Sequence, residues 1–136
     1  MKLTADANVL FSALIKNGIS RKIIFHADLE LNTPYFFLTE LKKYRKMLIT
    51  KSALSKEDFD TFENVLLGQV EIIAEDELKP YVTAASKLIA DEKDLLYIAA
   101  ALCTGSVIVS NDKDLQWQKR VKVYTIEQLA RELKII

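Results

Sequence analysis

Apolar residues along the chain switch between helical and alternating spacing, and the switches mark out the elements. Lys2 to Asp6 begins as a short strand-like run. Ala7 to Lys16 then carries Val9, Leu10, Ala13 and Leu14 at helical spacing until Asn17-Gly18 stops it. Ser20 suits the cap of a second helix with Ile23, Ile24 and Ala27 inward, and Leu29 to Asn32 reads as a second strand. Pro34 fits a helix start, and Phe37, Leu38, Leu41, Tyr44, Met47 and Leu48 continue an apolar stripe that ends near Thr50. Ser55 with Asp58 three residues later resembles a capping box, opening a helix through Phe59, Phe62, Val65 and Leu66 to Gly68. Val70 to Ala74 follows as a third strand.

From about Asp76 to Ala90 the pattern is helical again, with Pro80 tolerable only in the first turn. A new helix runs from about Asp91 to Thr104 and Gly105 ends it. Ser106 to Ser110 and Val121 to Tyr124 read as strands, and Thr125 with Gln128 opens a last helix through Leu129 and Leu133. Strands separated by one or two helices require crossover connections, so they pair in parallel. The expected fold is therefore a three-layer α/β/α sandwich around a parallel sheet of four or five strands. At 136 residues the expectation is one domain over 1–136.

Composition narrows the functional classes. Nineteen basic residues balance nineteen acidic ones, so no overall positive field recruits nucleic acid, and any such binding needs a local patch. Cys103 is alone and cannot form an internal disulfide, which fits a reducing, cytoplasmic compartment. The apolar run from Val9 to Ile15 is too short for a membrane span and lacks the cleavage signal of a secretory leader, so no membrane association is expected.

Carboxylates fall where a parallel sheet binds ligands, at the carboxyl ends of strands. Asp6 closes the first strand, followed by Asn8; Asp112 and Asp114 follow the strand that ends at Ser110. Each also suits a bare turn-forming role, because Asp and Asn bond local amides. Glu40 has Phe36, Phe37 and Tyr44 as helical neighbours, which sets it beside the apolar face; the alternative is a boundary ion pair with Lys43. Asp91 and Asp94 have N-cap and N3 spacing, and capping accounts for Asp91, whereas Asp94 sits a turn before Ile98 and points in from the rim.

Converging carboxylates raise one another's pKa values unless a cation or shared protons relieve them. An all-oxygen set selects hard cations, so Mg²⁺ or Mn²⁺ is expected, and one His with one Cys makes a zinc site improbable. His26 reads as a packing or surface residue, and three scattered glycines form no nucleotide loop. Lys42, Lys43, Arg45 and Lys46 make a basic stretch that either contacts an RNA backbone or is an ordinary solvated face. Gln116 and Trp117 follow the last acidic motif, and for Trp117 packing is the favoured reading over contact with a base.

Taken together, Asp6-Ala7-Asn8-Val9-Leu10, Glu40, Asp91 with Asp94, and Ser110-Asn111-Asp112-Lys113-Asp114-Leu115 resemble the PIN-domain family in order, spacing and context over nearly the whole chain. The resemblance implies a ribonuclease dependent on Mg²⁺ or Mn²⁺ that leaves 5′-phosphate and 3′-hydroxyl ends on RNA. Carried over, Asp6, Glu40, Asp94 and Asp112 are the catalytic and metal-binding set; Asn8, Asp91, Ser110 and Asp114 are supports. Ser110 stands where the family often has Thr, and Ala7 where Thr is common, with no carboxylate lost. Toxin members of the family work with an antitoxin and similar proteins commonly form homodimers, so the resemblance makes an antitoxin protein and a second copy of the chain candidate partners. The alternative is a non-catalytic RNA- or protein-binding module with the same fold. A phosphoacceptor receiver domain is disfavoured, because Asn32 and Ala74 close the strands where it needs an Asp.

Overall fold

The computed structural model describes all 136 residues and follows a repeated strand-then-helix order. The elements are β1 (Lys2–Ala5), α1 (Ala7–Ile15), α2 (Ile19–Ile24), β2 (Glu30–Pro34), α3 (Phe36–Ser52), α4 (Lys56–Leu67) and β3 (Val70–Ile73). They continue as α5 (Glu75–Ser86), α6 (Glu92–Thr104), β4 (Val107–Val109), α7 (Lys113–Trp117), β5 (Val123–Tyr124) and α8 (Ile126–Glu132). All strand pairings are parallel and the sheet order is β3-β2-β1-β4-β5.

Period-two alternation sends neighbouring residues of a strand into opposite layers. In β4, Val109 joins the core built with Leu10 and Leu14 of α1, Phe37 of α3 and Phe59 of α4, while Ile108 joins the core built with Leu78 of α5 and Ile98 of α6. The long apolar stretch of α6 at Ile98 to Ala101 is fully buried, its small side chains letting the helix lie close on the sheet. Thr4 and Asn32 break the apolar pattern on that face. They are satisfied as a buried network, Thr4 Oγ1 donating to Asn32 Oδ1 and Asn32 Nδ2 donating to Ser106 Oγ at 2.9 Å.

Several local readings of the sequence are corrected. Pro34 ends β2 rather than starting α3; it offers no ladder N–H, and the Thr33 hydroxyl donates instead to the Ala5 carbonyl at 2.8 Å. Ser20 is buried within α2, whose N-cap is Gly18, and that helix stops at Ile24 before Ala27. α5 starts at Glu75 and ends at Ser86, short of Ala90, and Pro80 lies in its second turn. There the pyrrolidine ring is exposed, and three acidic residues in the first turn support the helix N-terminus.

The order of strands fixes where a ligand can sit. From central β1 the chain moves out to β2 and β3, then returns across the sheet to β4 and β5. Loops leaving the carboxyl ends of β1 and β4 therefore diverge to opposite faces and open a crevice between them.

Candidate acidic metal centre

Asp6 is the first residue past β1 and the N-cap of α1. Its Oδ1 accepts the Asn8 backbone N–H at 2.9 Å, and its Oδ2 accepts the Ser110 hydroxyl from the loop after β4. Ser110 is fully buried and also accepts the Asp112 N–H at 2.9 Å, so one hydroxyl ties the two strand ends together. Asn8 acts on Asp6 through its backbone. Asp112 caps α7 by accepting the Leu115 N–H at 3.1 Å, and Asp91 caps α6 by accepting from Lys93 and Asp94. Both capping alternatives are thus real, and for Asp112 capping occupies only one of two oxygens.

α6 and α3 complete the crevice. Asp6, Glu40, Asp94 and Asp112 line one cavity of about 330 Å³ together with Asn8, Phe11, Phe36 and Tyr44. Beside it the carboxylates of Asp94, Asp112 and Asp114 converge, with one oxygen from each within 4.8 Å of the others. Asp114 therefore sits in the tight group, while Asp6 and Glu40 stand beside it on partners of their own. Ser110 links to the group through Asp6 and Asp112, and Asp91 remains at the exposed rim.

Two residues of the cavity escaped the sequence reading. Lys93 places its Nζ 3.2 Å from Glu40 Oε1, so the partner of Glu40 comes from α6 and not from Lys43 on its own helix. Glu40 is buried to 7 % exposure and holds the Lys93 ammonium above its usual range through that hydrogen bond and charge. Tyr97 is buried, and its hydroxyl lacks a hydrogen-bond partner. A signal existed for both: Tyr97 lies i+4 from Lys93 and i+3 from Asp94, so these three share a helical face.

The electrostatics report crowded negative charge. Burial, then repulsion from Asp112, Asp91, Asp6 and Asp114, pushes the Asp94 carboxyl from 3.8 up to about 7. Burial also raises Asp6, although the Ser110 and Asn8 hydrogen bonds oppose it and Asp112 adds to it. Burial, followed by the Asp6 charge, raises the Tyr97 phenol. A divalent cation bonded to oxygen donors would relieve this repulsion, and the oxygens of Asp94, Asp112 and Asp114 lie close enough together to hold a metal ion.

The basic stretch divides. Lys42, Lys43 and Lys46 are exposed and unpaired, whereas Arg45 is committed to Asp60 and Glu63 of α4 and is removed from the RNA-contact set. Trp117 is 78 % exposed, which corrects the packing assignment. His26 is a half-buried turn residue whose Nδ1 accepts the Asp28 N–H.

Comparison with known proteins agrees with this architecture. The VapBC2 complex of Rickettsia felis bound to promoter DNA contains a chain that aligns with TM-score 0.67 and 18 % identity, covering 92 % of this chain and 98 % of that one. A toxin-antitoxin complex from Klebsiella pneumoniae gives TM-score 0.67 at 11 % identity, over 91 % and 97 %. A protein of Pyrobaculum aerophilum gives 0.64 at 17 %, over 100 % and 97 %. Among curated proteins none matches the sequence significantly. No helix is long and apolar enough to cross a membrane. The PIN domain profile matches residues 4–134, nearly the full length, and on that match the chain belongs to the PIN-domain family.

Proposed function

We propose that this protein is an endoribonuclease that works with Mg²⁺ or Mn²⁺, and that it is the toxin of a toxin-antitoxin pair. The observation that carries the reading is the convergence of Asp94, Asp112 and Asp114 beside the cavity that Asp6, Glu40, Asp94 and Asp112 line at the sheet's switch point. Membership of the PIN-domain family supports the nuclease class. The toxin role is supported by two structural neighbours, one from a VapBC2 complex and one from a toxin-antitoxin complex.

A divalent metal held there would supply activation of a water for in-line attack on the phosphodiester and stabilisation of the leaving oxygen. Asp94, Asp112 and Asp114 would hold it, with Asp6 fixed beside them by Ser110 and the Asn8 amide. Lys42, Lys43 and Lys46, on α3 with Glu40, supply positive charge for the RNA backbone.

One observation favours the alternative, a non-catalytic RNA- or protein-binding module. Glu40 already has an internal cation in Lys93, which balances one of the expected ligands without metal. Thermal unfolding after EDTA treatment separates the two readings. Added Mn²⁺ should raise the midpoint, by an amount equivalent to about 2.7 kcal/mol at a hundredfold excess over Kd. The rise should vanish in Asp94→Asn, and RNA cleavage should vanish with it. A wild-type midpoint indifferent to millimolar metal, with RNA still bound, would establish the module instead.

A further inference from the structure

The chain has a single tryptophan, and it projects into water at the end of α7. An indole normally buries a large area, so one left 78 % exposed has no partner within the chain. The segment that presents it is firmly held. Gln118, the next residue, is buried; its Nε2 donates to the carbonyls of Leu115 at 3.0 Å and Val121 at 2.6 Å, and its Oε1 accepts the Val121 N–H at 2.9 Å.

Cations outnumber carboxylates around the indole, with Lys113, Lys119 and Arg120 set against Asp114 one turn earlier on α7. Lys113, Gln116, Trp117 and Lys119 line a cleft of about 280 Å³. Lys113, Lys119 and Arg120 are exposed, none is in an ion pair with any carboxylate, and no Asp or Glu occurs from Leu115 to Ile126. The cleft begins where the acidic group ends, since Lys113 stands between Asp112 and Asp114 and the five residues of α7 span roughly 7 Å. A second copy of the chain would bring cations against cations. The fitting occupant is an anionic chain with flat faces open to stacking, which describes unpaired RNA and not a duplex.

We propose that Trp117, flanked by Lys113, Lys119 and Arg120, is a stacking platform for an unpaired RNA base next to the acidic cavity. It rests on the endoribonuclease reading and deepens it by naming the side chain on which a base beside the acidic cavity would stack. Because Trp117 is the chain's only tryptophan, its emission reports the platform directly.

The test uses the full chain in EDTA, where no cleavage occurs, and an unstructured oligouridylate of about twelve nucleotides. Saturable quenching of the emission is expected, with no quenching by a blunt RNA duplex of equal length. Trp117→Ala should weaken binding measured by anisotropy about tenfold or more, as loss of one stacked base does. Trp117→Phe should recover part of the affinity. The Mn²⁺-dependent rise in unfolding temperature should be unchanged in Trp117→Ala, so failure of the metal site and failure of the platform are read separately. Unquenched emission with unchanged affinity in Trp117→Ala overturns the platform, and so does quenching by polyglutamate but not by RNA.

Discussion

Exchanging Asp94 for Asn should stabilise the metal-free protein at pH 8 and do so far less at pH 5. The folded carboxyl titrates at about 7 against 3.8 for an unburdened one, chiefly because it is buried and then because Asp112, Asp91, Asp6 and Asp114 surround it. Between those values the folded state holds a proton that the unfolded state has lost. Wild-type stability therefore falls as pH rises from about 4 to 7, and above 7 the fold carries the whole cost of the charge. At 1.36 kcal/mol per pH unit the full value is about 4 kcal/mol. Asp94 is only partly buried, and solvent screening reduces this to roughly 1–2 kcal/mol. The carboxylate's favourable position in the first turn of α6 takes back about 0.3–1 kcal/mol. The net gain is then about 1 kcal/mol at pH 8, an increase of roughly 3–5 °C for a domain this size. At pH 5 about a third remains, because only the interval from 3.8 to 5 has been crossed. Thermal unfolding by circular dichroism in EDTA measures both points. With saturating Mn²⁺ the order should invert, since the wild type gains stability that the variant cannot. Equal destabilisation of Asp94→Asn at both pH values would refute the reasoning.

Three further substitutions probe the same cavity. Ser110→Ala strips the buried Asp6 of a donor and leaves the half-buried Asp112 N–H without an acceptor, so it should cost about 1–3 kcal/mol in urea unfolding; a neutral result would mean water takes over both bonds. Tyr97→Phe removes a buried hydroxyl that has no partner and should raise the metal-free midpoint by an amount equivalent to about 1 kcal/mol, whereas a fall would reveal a bond the hydroxyl does make. Lys93→Met leaves Glu40 uncompensated, so the metal-free midpoint should drop while calorimetry shows Mn²⁺ binding several-fold more tightly; weaker binding would mean Lys93 shapes the site rather than competes for it.

Local information in the sequence was enough for features that depend on a few neighbouring residues. The alternation of strands and helices, the caps at Ser55, Asp91 and Thr125, and the stop at Gly105 all lie within a turn or two of chain. Asp6 and Asp112 were legible because a carboxylate directly after a parallel strand has few places to point. What escaped depends on which elements meet. Arg45 looks free on α3 until α4 brings Asp60 and Glu63 against it, and Glu40 finds Lys93 only because α6 crosses near α3. Pro34 had the chemistry of a helix start, but pairing of β2 with β3 held it in the sheet. Trp117 was assigned by the habit of its residue type, and no local pattern says that the core is already filled by Leu115.

The hydroxyl of Ser110 reaches Asp6 across 104 positions of sequence. On a ribosome the first strand emerges long before β4, and domains complete their folding only when late segments arrive. A nascent chain lacking its last thirty or so residues holds one edge of the crevice with nothing opposite. The Asp6–Ser110 link and the Asp112 side of the cavity therefore close only after β4 and the loop that follows it have been made.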